Sequence, residues 1–399
     1  MNPARIFCVF FMLLAFTVPA ALAKGLYIDP ADDENNFGDP ADIFSWTPRQ
    51  QVAGYRNIEK LSPARKVPAS TAPLMLPRAE QDLGEVLIVG EHEEEPFSLT
   101  VNQYFENQNV AGLLVIQNGA VVYERYGLGN TESSRWTSFS ISKSVVSMLF
   151  GAAIRDGYIL NVDERITEYL PRLRQSSYEN TTIKNLLQMA SGVEWNEDYS
   201  DPESDISTAS WETLSIYDFL GKKERVAAPG EVYNYNTAES NLAGNLLRTA
   251  IGNNLSTYLH HKIWQPFGME HDAYWLLTEE GGGEFGGCCL AATLRDYGRI
   301  GLFTLADGKL DDGSMVLPEG WMSESTTPSE TAGFYGYLWW LRENNAFQAA
   351  GIYGQGIHIE PEHDIVIAIQ SAWPVASDQR NWALQNALFA AITKAVTGF

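Results

Sequence analysis

Two apolar, β-branched runs in residues 111–127, AGLLVIQNGAVVYERYG, are joined by Asn118-Gly119. That dipeptide suits a tight turn whose central residues both take positive φ, the turn that links antiparallel strands. An ordered core that opens on a hairpin needs further strands to complete its sheet. They return only from about Tyr335, in GYLWWLRE, AFQAAGIYG and DIVIAIQSAW. Between the two sets lie SKSVVSMLFGAAIRDG, TTIKNLLQMASG and TAESNLAGNLLRTAIG, each with apolar residues at helical spacing and a glycine stop. Thr181 or Thr182 is placed to cap the second of these, and NWALQNALFAAITKAV reads as a closing amphipathic helix. The order predicts an α/β (α+β) fold, an antiparallel sheet flanked by helices with an inserted helical lobe. We expect the sheet lobe at about 96–139 and 283–399, the helical lobe at about 140–282, and the chemistry where they meet.

Residues 24–95 are rich in Pro, Asp and Glu with little periodicity, and read as an irregular extension around that core. Before them, Arg5, an apolar run from Ile6, and Ala21-Leu22-Ala23 ahead of Lys24 have the order of a secretory leader. A retained anchor is the rival reading. Cleavage after residue 23 and export to the periplasm or medium fit the small residues better, with no membrane insertion afterwards.

The formal charge is −23, and loss of Arg5 with an acid-free leader makes it −24. Such acidity argues against nucleic acid and anionic membranes as partners; it is otherwise a statement about solubility and names no substrate. Beyond the leader the cysteines are Cys288 and Cys289 alone, which is no disulfide framework. Two reduced, packed thiols are the expectation, a strained vicinal bridge the alternative. The six histidines are scattered without H-E-x-x-H, and His358 and His363 flank a proline, so neither metal nor cofactor is assigned.

Ser140 is the only serine with lysine at +3. On a helix the two share a face, where a lysine with a burial-lowered pKa can serve as base to the serine. A serine in the first helical turn also has free N–H groups for an oxyanion. Ser140, Ser142 and Ser144 have a plainer reading too, as cap and helix surface.

Position in the chain decides between them. The segment from Glu124 through FSISKS to ITEYLP, with Phe139, Ser140, Lys143, Ser144, Gly157, Ile159, Asp163, Ile166, Tyr169, Leu170 and Pro171, resembles the serine β-lactamase and penicillin-binding superfamily. More closely it is similar to the class C-related hydrolases and esterases, including the 6-aminohexanoate-dimer hydrolases. LLQMASGVEWNEDYSDPESD is similar to the next block of that family. PGEVYNYNTAESNLAG matches its tyrosine motif through Pro229, Gly230, Tyr233 and Tyr235, and PFGM follows. The resemblance implies that Tyr235 shares protons with Ser140 and Lys143, the phenol being ionised more readily beside an ammonium. It also aligns Ile352, Tyr353 and Gly354 with the family's K-T-G or H-x-G triplet. Gly354 would then admit the substrate, and the N–H groups of Ser140 and Gln355 would form the oxyanion hole.

Trp195, Tyr199, Trp339 and Tyr353 are candidate pocket aromatics, each also readable as plain packing; Ser142 is a further candidate for the site wall. Ile352 stands where β-lactamases and transpeptidases carry a cation for the substrate carboxylate, and Thr237 where class C enzymes have asparagine. The resemblance therefore implies an acyl-enzyme hydrolase of small esters or amides. A β-lactamase or D-alanyl-D-alanine carboxypeptidase is the alternative, and a non-catalytic binder of cell-wall fragments or a partner protein is the alternative of another class.

Overall fold

The computed structural model describes Leu26 and residues 28–398; the proposed leader, 1–23, lies outside the described residues. The hairpin forms as the sequence requires. Strands β1 (Val110–Gln117) and β2 (Ala120–Tyr126) are joined through Asn118 and Gly119 at φ +50° and +75°. Beside them run β3 (Trp340–Leu341), β4 (Phe347–Gly351), β5 (Gln355–Glu360) and β6 (Ile365–Ser371). The sheet is antiparallel throughout, in the order β2-β1-β6-β5-β4-β3.

Why β6 carries an unbroken apolar run, IVIAI, follows from its place in the middle. Ile365, Ile367 and Ile369 join Leu113 and Val115 under the closing helix, against Leu384, Leu388, Phe389 and Ile392. Val366 and Ala368 face the other way with Leu114 and Ile116, under the helix Leu294–Leu305. Each of the Ile, Leu, Val and Phe side chains contributes about 1.5–3 kcal/mol through burial, and the strand has no wet face to alternate toward.

Four long helices are α1 (Ile141–Arg155), α2 (Thr237–Ile251), α3 (Leu294–Leu305) and α4 (Gln379–Thr397); α1, α3 and α4 pack on the sheet, and α2 packs on α1. The middle segment of the chain adds only short helices, among them Ile183–Leu187 with the Thr182–Asn185 capping box. No helix among the described residues is long and apolar enough to cross a membrane.

A second sheet, of four strands, sets the approach to Ser140. Ala64–Val67, Ala273–Leu276, Leu290–Thr293 and Arg135–Thr137 pair in that order. The first of these comes from the stretch expected to be irregular. That stretch also holds the helix Pro48–Arg56, with a Thr47–Gln50 capping box and proline at its first turn. Arg56 fixes it by pairing with Asp33 at 2.8 Å and donating to Leu128 O at 3.0 Å.

Candidate active site

Strand Arg135–Thr137 runs into α1 through Ser138, Phe139 and Ser140. Phe139 has φ +44°, a conformation that strains a bulky side chain. Its surroundings hold it there. The Ser138 and Ser142 hydroxyls donate to Phe139 O at 2.9 and 3.1 Å, and its ring packs edge-on to Tyr55 at 5.1 Å. The sharp turn puts Ser140 at the N-cap of α1 with its hydroxyl in a cleft. Ser142, by contrast, is bound into this turn and Ser144 donates to Leu338 O at 2.7 Å, so neither lines the cleft.

One helical turn on, Lys143 is only 1% exposed. Its Nζ lies 2.7 Å from Ser140 Oγ, 3.0 Å from Thr237 Oγ1 and 2.9 Å from Gly287 O. Burial lowers its pKa to about 7, against an opposing pull from Glu197.

The hydrogen-bond inventory fixes what each partner does. Glu197 accepts from Trp195 Nε1, from Thr237 N at 3.0 Å, from Tyr199 OH at 2.6 Å and from the Thr237 hydroxyl. Thr237, its proton committed to Glu197, can only accept from Lys143; Gly287 O has no other option either. A neutral amine has two protons and one lone pair. As an ammonium Lys143 donates to all three oxygens; in the neutral form, with its two protons on Thr237 and Gly287, the lone pair would face Ser140 Oγ.

Tyr235 completes the cluster from the loop before α2. Its ring lies 5.0 Å below Lys143 Nζ, and Ser140 is a hydrogen-bond partner of its hydroxyl. Burial, and next the Glu197 charge, push its pKa well above 10, with the Ser140 bond opposing. Tyr235 is thus held as a neutral phenol, whereas the sequence reading favoured its ionised form.

The far wall corrects the assigned triplet. Gly351, at the end of β4, faces the nucleophile turn: a Cβ there would collide with Ser138 O and come 3.1 Å from Ser140 N. Ile352 follows it and lines the cleft beside Ser140. Among the described residues neither the Ser140 nor the Ile352 N–H has an acceptor, so both are available to an oxyanion. Gln355 is three residues farther, paired with Gly351 across the turn, and its buried side chain bonds Trp136, Ser371 and the carbonyls of Ile352 and Tyr353. Gly354 abuts Trp373 instead of the cleft, and Tyr353 is packed between Tyr55 and Phe139.

Of the candidate aromatics, Tyr199 lines the cleft. Trp195 is packed against Trp211 and Phe219, and Trp339 against Phe347; its neighbour Trp340 faces the cleft in its place. Cys288 and Cys289 also line it, joined as a vicinal disulfide where two thiols were expected. Among the described residues no three His, Cys, Asp or Glu side chains are grouped to hold a metal ion.

The cleft has two arms that meet at Ser140, Tyr199 and Ile352. A wide arm of about 770 Å³ passes Thr237, Trp211 and residues 40–45 of the N-terminal stretch. A narrower one of about 380 Å³ passes Tyr235, Trp340 and Arg342.

Comparison with known proteins agrees with this arrangement. The Beta-lactamase family profile matches residues 100–390. The chain is 28% identical over 322 residues to a 6-aminohexanoate-dimer hydrolase of Paenarthrobacter ureafaciens, covering 74% of this chain and 81% of that one. A solved structure from Bacillus anthracis, described as a 6-aminohexanoate-dimer hydrolase, superposes with a TM-score of 0.77 at 23% identity, over 88% of this chain and 95% of that one. A family VIII carboxylesterase superposes with a TM-score of 0.57 at 15% identity, over 73% and 95% of the two chains. With most of its length matched by the family profile, this chain belongs to the Beta-lactamase family, and it is a serine hydrolase.

Proposed function

We propose that the protein hydrolyses small esters and linear amides through an acyl-enzyme on Ser140. The observation that carries this reading is the buried Lys143, whose hydrogen-bond partners, in its neutral form, leave its lone pair for Ser140. As Ser140 Oγ attacks the carbonyl carbon, its proton passes to Lys143 Nζ. The Ser140 and Ile352 N–H groups hold the oxyanion, a contribution of about 2.7–4 kcal/mol per donor in such sites. Collapse of the tetrahedral adduct breaks the bond to the leaving oxygen or nitrogen. Tyr235 gives that atom its proton and regains one from the Lys143 ammonium. Neutral Lys143 then takes a proton from water, whose oxygen attacks the acyl carbon, and the freed acid leaves Ser140 protonated again.

The likeness to 6-aminohexanoate-dimer hydrolase puts linear amides of the aminohexanoate type among the substrates. With Gly351 as the triplet's last residue, the cation position of β-lactamases falls on Ala349, which is fully buried. A β-lactam carboxylate has no charged grip there, which favours the esterase and amidase reading. Export rests on the leader sequence alone, and a secreted form beginning at Lys24 is its test. For the reaction, p-nitrophenyl butyrate is assayed with the wild type and Ser140→Ala. Turnover lost in the variant supports the reading, and equal rates in both refute it.

A further inference from the structure

Among the described residues Arg342 has no carboxylate partner, in an acidic protein. Arg56, Arg65, Arg295 and Arg299 each pair with a carboxylate. Arg342 instead meets neutral oxygens: Nε and Nη2 donate to Gln348 Oε1 at 3.2 and 2.9 Å, and Nη1 to Leu341 O at 3.1 Å. No carboxylate offsets its burial, which lowers its pKa to about 10 and still leaves it charged at neutral pH. Gln348 is fixed in turn by Gln385, at 3.3 Å, and Gln385 by Gly354 O at 3.0 Å. Three of five guanidinium N–H donors are used; one remains on each terminal nitrogen, the pair that grips a carboxylate in bidentate fashion.

This fork lines the narrow arm, which also contains Tyr235; the wide arm does not. Since Tyr235 protonates the departing atom, the narrow arm is the leaving-group side. Its walls are flat aromatics. Tyr235 and Trp340 stack at 5.7 Å, and Phe334 and Trp340 at 6.2 Å. Asp378, at the start of α4 nearby, has its carboxylate committed to Asn381 N at 2.9 Å. Gln348, on which the guanidinium rests, lies three residues along β4 from Gly351.

We propose that Arg342 is a specificity-determining residue of the narrow arm, binding a carboxylate carried by the leaving group of the ester or amide. This rests on the hydrolytic reading of Ser140. It places the anionic grip on the sheet edge, away from the triplet position where the relatives carry their cation.

The test compares, within each protein, hexanoyl-6-aminohexanoate with its neutral methyl amide, so that any loss of folded enzyme cancels in the ratio of kcat/KM. The wild type should prefer the acid by about tenfold or more, the discrimination of a charge-assisted hydrogen-bond pair. Arg342→Gln should bring the ratio near one, and Arg342→Lys should restore part of it. A wild type indifferent to the carboxylate, or a preference that survives Arg342→Gln, overturns the proposal. Titration of the same acid into Ser140→Ala separates it from the hydrolytic reading. If the wild type hydrolyses neither compound, binding to Ser140→Ala that is lost in Ser140→Ala/Arg342→Gln leaves the anchor standing and the hydrolytic reading refuted. Absence of binding refutes the anchor.

Discussion

Replacing Glu197 with glutamine changes one charge beside the base and little else in shape. The carboxylate lies across a single hydroxyl from Lys143, since Thr237 Oγ1 bonds both, with 3.0 Å on the lysine side. The charges are then about 5 Å apart, and at an effective dielectric of 20 their attraction is about 3 kcal/mol. Solvent at the partly exposed Glu197 roughly halves this, leaving about 1.4 kcal/mol, a tenfold change in an equilibrium constant. Glu197 favours the ammonium form, so its loss lowers the lysine pKa from about 7 toward 6. The active form is the neutral amine. The acid limb of kcat/KM therefore sits near pH 7 in the wild type and moves down by about one pH unit in Glu197→Gln, while the plateau falls because an amide cannot accept all four of the carboxylate's hydrogen bonds. The assay is ester hydrolysis from pH 5 to 10 at constant ionic strength. A limb that stays put, or rises, refutes the coupling through Thr237. A limb near or above pH 10 in both proteins refutes Lys143 as base and returns that role to Tyr235, whose pKa lies on that side.

Lys143→Met abolishes turnover yet raises stability. The folded-state pKa of about 7 lies below the ordinary 10.5. The unfolded chain therefore binds the extra proton between these values, and stability due to this group rises with pH across that window and is lowest below pH 7. The gap corresponds to an upper bound of about 4–5 kcal/mol, so a Tm several degrees higher at pH 7 is expected by calorimetry, and an unchanged or lower Tm contradicts the buried neutral amine. Ile352→Pro removes one N–H at the first position of a tight helical turn and should cut kcat by about 10²–10³ with a small change in Tm. Retention of kcat in a folded protein would remove Ile352 from the oxyanion hole.

The parts of this molecule that could be read from the chain are those fixed by local chemistry. Asn118-Gly119 admits few turns, and the α1 pattern ends on Gly157 at φ +79° because little else tolerates that conformation. The serine and lysine share a helical face by spacing alone. What the chain hid is set by which strand passes which. AAGIYGQG has glycines at 351, 354 and 356, and each suits a close approach; only the position of Ser138 O against β4 selects Gly351. Trp339 and Trp340 are alike until the sheet edge turns one inward. The Thr47–Gln50 capping box was visible in TPRQ, but a nine-residue helix in a Pro- and Asp-rich setting carries a weak apolar signal. Glu197 was the costliest omission, and its neighbours explain why. In WNEDY it is one acid of several in a polar loop, and nothing local marks it as the acceptor of four hydrogen bonds from residues 195, 199 and 237. The consequence reaches the chemistry. Read from sequence, tyrosine and lysine were a matched pair with the phenol ionised by its neighbour. Burial reverses that pairing: it raises the phenol's pKa, with the Glu197 charge adding to the rise, and it lowers the amine's. Glu197, which is no partner of Ser140, thus helps to hold the phenol neutral while drawing the amine back toward its ammonium.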